Sequence, residues 1–151
     1  MIAGIELRYL YHDADVIEVR IVAQNSRFRG SADVYIGTSC LIETAKAIEG
    51  FPANSQDTRD VTLGAFGNDF AGGAVRLEFF CKDIAGHSTV RITIESGEQR
   101  PPEPASGQIA TLESTVLYVD FEPAGLDEFV AQLKEIEQTL GGSAVLRTDV
   151  I

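Results

Sequence analysis

Hydrophobic and polar positions alternate with a period of two through most of this chain. The clearest run is Val75 to Glu95, VRLEFFCKDIAGHSTVRITIE. Val75, Leu77, Phe79 and Cys81 alternate with Arg76, Glu78, Phe80 and Lys82. Past a short polar break, Val90, Ile92 and Ile94 alternate with Thr89, Arg91, Thr93 and Glu95. Period two on both sides of a turn marks a half-buried antiparallel hairpin. The same alternation predicts strands over Ile2–Tyr11, Val16–Ala23 and Phe28–Ile36, divided by the polar turns His12–Asp15 and Gln24–Arg27. Further strands are expected at Arg59–Leu63 and Leu112–Phe121, with a brief edge strand at Ala144–Arg147.

The period changes to helical spacing twice. Leu41, Ile42, Ala45 and Ile48 predict a helix over 39–49, with an N-cap hydroxyl offered by Gly37-Thr38-Ser39, Gly50 at its end and Pro52 beyond. Leu126, Phe129, Val130, Leu133, Ile136 and Leu140 form the longest apolar stripe and predict a helix over 126–140. Asp127 and Glu128 are expected in its first turn, where they suit the helix dipole. Asp127, Glu128, Glu135 and Glu137 read as its solvated acidic face. GAFGNDFAGG, from Gly64 to Gly73, is a glycine-rich connection. Three prolines forbid ladder pairing in an exposed loop over 97–111. The pattern therefore predicts one α+β domain over residues 1–151. Its expected core is an antiparallel, largely meander sheet of about seven strands, with two helices packed on one face.

Charge narrows the picture. The 151 residues include 23 acidic and 12 basic side chains, for a formal net charge of −11. Such a balance repels nucleic acid and anionic membrane surfaces and favours basic partners. No apolar run is long enough to span a bilayer. MIAGIELRYL carries no basic, apolar and small-residue sequence of a secretion signal, so a cytoplasmic location is expected. The two cysteines, Cys40 and Cys81, form no C-x-x-C motif and read as reduced, buried small hydrophobes.

Candidate chemistry is sparse. His12, Asp13 and Asp15 form an HDAD cluster that reads as a turn, since a hairpin tip rarely converges enough ligands for a metal. Asp83 and His87 flank the tip of the central hairpin, where a carboxylate can orient an imidazole or simply build the turn. Asn68 and Asp69, flanked by Phe66 and Phe70, sit in the glycine-rich loop, the kind of segment that carries binding between rigid strands. Asn68, Asp69, Asp83 and His87 are thus the candidate partner-binding residues. No P-loop, zincin, nucleophile elbow, dinucleotide fingerprint or basic–aromatic nucleic-acid patch occurs, and no cofactor, metal or catalytic residue is expected.

The hairpin sequence FFCKDIAGHSTVRITI resembles that of small bacterial WapI-type immunity proteins and their relatives, in which a Phe/Leu-rich strand leads through an Asp-x-x-Gly-His turn into a Val/Ile strand. The matching residues are Asp83, Gly86 and His87. The helix ending near Gly50-Phe51-Pro52 and the late amphipathic helix are similar too. The resemblance implies a non-enzymatic protein that binds and neutralises a cognate toxin, and the acidic charge suits a basic toxin. Two alternatives stand beside it. One is a small-molecule-binding domain or enzyme with a pocket between sheet and helices. The other is a structural subunit that pairs through an edge strand.

Overall fold

In the computed structural model, which describes residues 3–67, 72–97 and 111–148, the chain folds as α+β with antiparallel sheets. The elements are β1 (Gly4–His12), β2 (Val16–Gln24), β3 (Arg29–Gly37), α1 (Cys40–Ile48), β4 (Arg59–Gly64), β5 (Ala74–Cys81), β6 (Ser88–Gly97), β7 (Leu112–Phe121), α2 (Pro123–Thr139) and β8 (Ser143–Arg147). Among the described residues eight strands form where about seven were expected, and they divide into two sheets of four. The first has the order β3-β2-β1-β8; the second is a pure meander, β4-β5-β6-β7. The division falls at α1. β3 pairs with β2 alone, and the helix carries the chain away so that β4 starts a new ladder with β5. A period-two pattern fixes which side of a strand is apolar but does not record the partner, so this division left no mark in the sequence.

The sheets meet through β3, which lies against β4, β5 and β6, and through β1 and β2, which approach β7. Their facing positions follow from the register. In the first sheet Ile17, Val19 and Ile21 pair with Ile36, Val34 and Ala32, and Ile21 also pairs with Leu7. In the second, Leu77 pairs with Ile92, which pairs with Leu117, and Phe79 pairs with Val90, which pairs with Val119. All these side chains are buried and belong to one hydrophobic core; Cys40 and Cys81, expected to be buried, pack against it only partly buried. The contact is close at Gly30, where a Cβ would sit 2.6 Å from Thr115 Cγ2.

Both helices complete that core. They pack on each other, α1 also against β4 and α2 against β8. Leu126, Phe129, Val130, Leu133 and Ile136 are buried, as the apolar stripe requires. Two details differ from expectation. α2 starts three residues earlier, at Pro123, because proline fits a first helical turn whose N–H groups have no partners within the helix. Asp127 and Glu128 therefore lie past that turn. At α1, the Ser39 side chain makes no cap bond; its hydroxyl approaches Glu43 Oε1 at 3.4 Å. Glu137 of α2 takes its place. This carboxylate is not on a solvated face but half-buried at the start of α1, facing the Ile42 and Leu41 N–H groups. Burial pushes its pKa up against the pull of those donors.

The other end of α1 is held by Arg59 of β4. Its Nη1 donates to Ala47 O at 3.1 Å and Glu49 O at 3.0 Å, the carbonyls that a helix end leaves open. Its Nε and Nη2 donate to both oxygens of Asp57, at 3.0 and 2.8 Å. The guanidinium lies 5.9 Å from the centre of the Phe51 ring. Phe51 in turn packs with Phe79 and Phe121, with centroids 5.8 and 6.2 Å away. One arginine thereby ties α1, β4 and the aromatic end of the core together.

Candidate functional site

The central hairpin is β5–β6, and its register places Val75, Leu77 and Phe79 opposite Ile94, Ile92 and Val90. Residues 82–87 make the turn. Lys82 N–H donates to His87 O at 2.8 Å and Gly86 N–H to Asp83 O at 3.1 Å. Gly86 has φ +87°, a left-handed conformation that a side chain disfavours. Asp83 Oδ1 accepts the His87 backbone N–H at 3.2 Å, and Asp83 Oδ2 meets His87 Nδ1 at 2.6 Å. The structure thus brings Asp83 and His87 together as a hydrogen-bonded pair. The His87 side chain holds the Asp83 carboxyl below its usual pKa, with help from backbone N–H groups. With Nδ1 engaged, Nε2 is the imidazole nitrogen left for a partner. The neighbouring Ser88 is buried and donates its hydroxyl to Gly86 O at 3.2 Å, so that hydroxyl serves the turn.

What the turn presents is Ile84. Its side chain is 97% exposed, the most exposed large hydrophobic among the described residues. Behind it lies a groove of about 500 Å³ lined by Lys82, Ala85, Gly86, His87, Asp120 and Glu122, with neighbouring residues of β6 and α2. Lys82 Nζ bonds Asp120 Oδ2 at 2.7 Å across the sheet. Burial alone would raise the Asp120 pKa, but hydrogen bonds from Lys82 and Thr89 lower it overall. The same Lys82 and Asp120 also line a larger groove of about 1110 Å³, so the two grooves adjoin at this pair.

The larger groove carries Phe28 and Arg27 from the β2–β3 turn, Phe80 from β5, and Val116 and Tyr118 from β7. Phe28, Val116 and Tyr118 are 59%, 43% and 49% exposed. Phe80 and Tyr118 meet edge to face at 6.4 Å, across the intervening β6. Asn25 Nδ2 donates to Tyr118 O at 2.9 Å and fixes the turn beside β7. Counted with Ile84, four of the eight large exposed hydrophobics of the described residues line this surface or adjoin it.

The other sequence candidates lie elsewhere. Asn68 and Asp69 fall outside the described residues, as does Phe70; the adjoining Phe66 is half-buried. At the HDAD cluster, Asp13 Oδ1 accepts the Asp15 and Val16 N–H groups at 2.9 Å each, which is a turn, and those backbone bonds lower its pKa. His12 Nδ1 bonds the Tyr9 hydroxyl. Among the described residues no three His, Cys, Asp or Glu side chains converge as metal ligands. No helix among them is long and apolar enough to cross a membrane. Sequence reasoning singled out Asp83 and His87 and passed over the exposed Ile84, Phe28 and Tyr118. One signal was available: Val116-Leu117-Tyr118-Val119 is apolar on both faces of β7, and a strand exposed to water on one face alternates instead.

No family model, curated protein or solved structure matches the chain. The likeness of the Asp83–Gly86–His87 turn to WapI-type immunity proteins accordingly rests on the sequence alone.

Proposed function

We propose that this is a non-enzymatic binding protein that captures a basic protein partner through the hairpin tip and the adjoining aromatic surface. The observation that carries the reading is the gathering of Ile84, Phe28, Val116 and Tyr118 around two adjoining grooves. Scattered exposed apolar residues are ordinary, but a contiguous set rimmed by charge marks an interaction surface. The Asp83–His87 pair supports it by holding the turn that displays Ile84. A net charge of −11 supports a basic partner, whose approach it steers. With the WapI-type resemblance, the reading becomes a cytoplasmic bacterial immunity protein and its toxin. Between the sheets and the helices the described apolar side chains form one hydrophobic core.

The test is calorimetry with the purified product of the gene immediately upstream. A tight complex is expected, weakening as salt rises and weakening about tenfold or more in Ile84→Asp or Tyr118→Ala. Absence of binding at low salt, or binding indifferent to both substitutions, overturns the reading.

A further inference from the structure

A sheet edge is a row of open hydrogen-bonding groups, and proteins ordinarily guard it. Among the described residues, three of the four edges are short, packed or bonded. Asp33 O on β3 accepts Gly73 N–H at 2.9 Å. β8 has five residues, lies against α2 and has Val145 N–H bonded to Gln132 Oε1 at 2.8 Å. β4 has six residues and packs against α1. β7 is different. It runs for ten residues, contains neither Lys nor Pro, and keeps an unbroken register with β6 from Ser88↔Phe121 to Gly97↔Leu112. It also exposes Leu112, Val116 and Tyr118.

The Asn25 bond to Tyr118 O shows which way this edge faces. Tyr118 points its peptide groups away from β6, and alternation along an antiparallel strand turns those of Ser114 and Val116 the same way. The larger groove borders this edge at Val116 and Tyr118. We propose that β7 takes an extended segment of the partner, apolar at alternate positions, as a fifth strand of the sheet β4-β5-β6-β7. This deepens the reading above and rests on it. Charge selects the occupant. A second copy would bring another −11, whereas a basic protein is drawn in. The groove itself adds apolar contact: Lys82 and Asp120 neutralise each other, and among the described residues Arg27 is the one further charge on its lining.

The probe is a peptide amide, Lys-Lys-Thr-Val-Thr-Val-Thr-Val-Lys-Lys, titrated into the labelled protein and followed by amide NMR. Shifts are expected at Ser114 and Val116, with binding that weakens as salt rises. Binding falls about tenfold or more when the central valine of the peptide is replaced by proline. It falls likewise in Val116→Pro, which removes an outward N–H but no bond to β6, and in Val116→Lys, a milder change at an exposed position. Undiminished binding to a folded Val116→Lys protein overturns the inference. So does a wild-type dimer by light scattering that Val116→Lys dissociates, because the occupant is then a second copy. If the upstream-encoded protein binds wild type and Val116→Lys alike, the strand inference fails and the broader reading stands. If it does not bind at all, both fail.

Discussion

Two aspartate pairs sit at turns of this protein, one with an arginine and one with a histidine, and they do different jobs. Asp57 and Arg59 lie where β4 begins, with side chains only 13% and 24% exposed. Asp83 and His87 lie at the β5–β6 tip, with side chains 46% and 71% exposed. Their shortest contacts are alike, 2.8 and 2.6 Å. What separates them is the company they keep. Arg59 spends its remaining donors on the end of α1 and covers Phe51, so its loss opens helix, strand and core at once. The tip pair bonds only within its own turn, and what stands on it is Ile84, which the fold does not use. Bond geometry alone does not reveal whether a pair serves stability or display; burial and second partners do.

The contrast can be broken from the core side first. Phe51→Ala removes the ring beneath Arg59 and is expected to cost about 3–5 kcal/mol in urea unfolding, the range for a truncated buried aromatic. Arg59→Ala is expected to cost about 2–3 kcal/mol, from carbonyls at the helix end and a half-buried carboxylate left without their donor. If either variant loses less than about 1 kcal/mol, the corner does not have the tying role given to it here. On the tip side, Ile84→Asp is expected to leave stability within about 0.5 kcal/mol of wild type while weakening the partner complex. A substantially lower urea midpoint would show that Ile84 serves the fold. His87→Ala should change the urea midpoint least of all and show itself in faster amide exchange at residues 82–88.

Acidity separates the regions further. The Arg59 side-chain bond depresses the Asp57 pKa below its ordinary 3.8, and the Arg76 side-chain bond does the same for Asp60. A depressed carboxyl stabilises the fold above its unfolded pKa and loses that effect as pH falls through the folded value. Glu137 has the opposite sign. Its pKa is raised above 4.5 by burial, so its contribution is full below that value and lost as pH rises through the folded one. As pH falls from neutral, Glu137 therefore adds stability before the aspartates withdraw theirs. Urea midpoints measured across pH are expected to show that rise in the wild type. Glu137→Gln is expected to flatten the rise and keep the later fall, and an unchanged rise would remove Glu137 as its source.

Much of this was legible in the residues. The central hairpin appears with the faces its alternation assigns: Val75, Leu77, Phe79, Val90, Ile92 and Ile94 are buried. The α2 stripe is buried over Leu126–Ile136, and Asp83 and His87 meet as turn partners. Three things were not legible, each for a physical reason. The division into two sheets depends on which strands pair, and period two is silent on partners. Glu137 looks like any charged surface position until α1 is placed against it. Phe28 and Tyr118 have the residue types of core strands. Their exposure is a property of the assembled faces, and Phe28 proves to lie in the turn before β3.

The closing of the first sheet by β8 also bears on how the molecule is made. β1 pairs with β2 and with β8, so Gly4 and Arg147 are direct ladder partners although nearly the whole chain separates them. The sheet β4-β5-β6-β7 has only sequential neighbours and can assemble as it emerges from the ribosome. The outer side of β1 stays open until β8 arrives, on the order of ten seconds later at ordinary synthesis rates. The same proximity makes the described ends neighbours in space, so a short linker could join them and new ends could be opened elsewhere. Cutting the chain between Ile84 and Ala85 in such a permutant would keep both sheets while dividing the turn that displays Ile84.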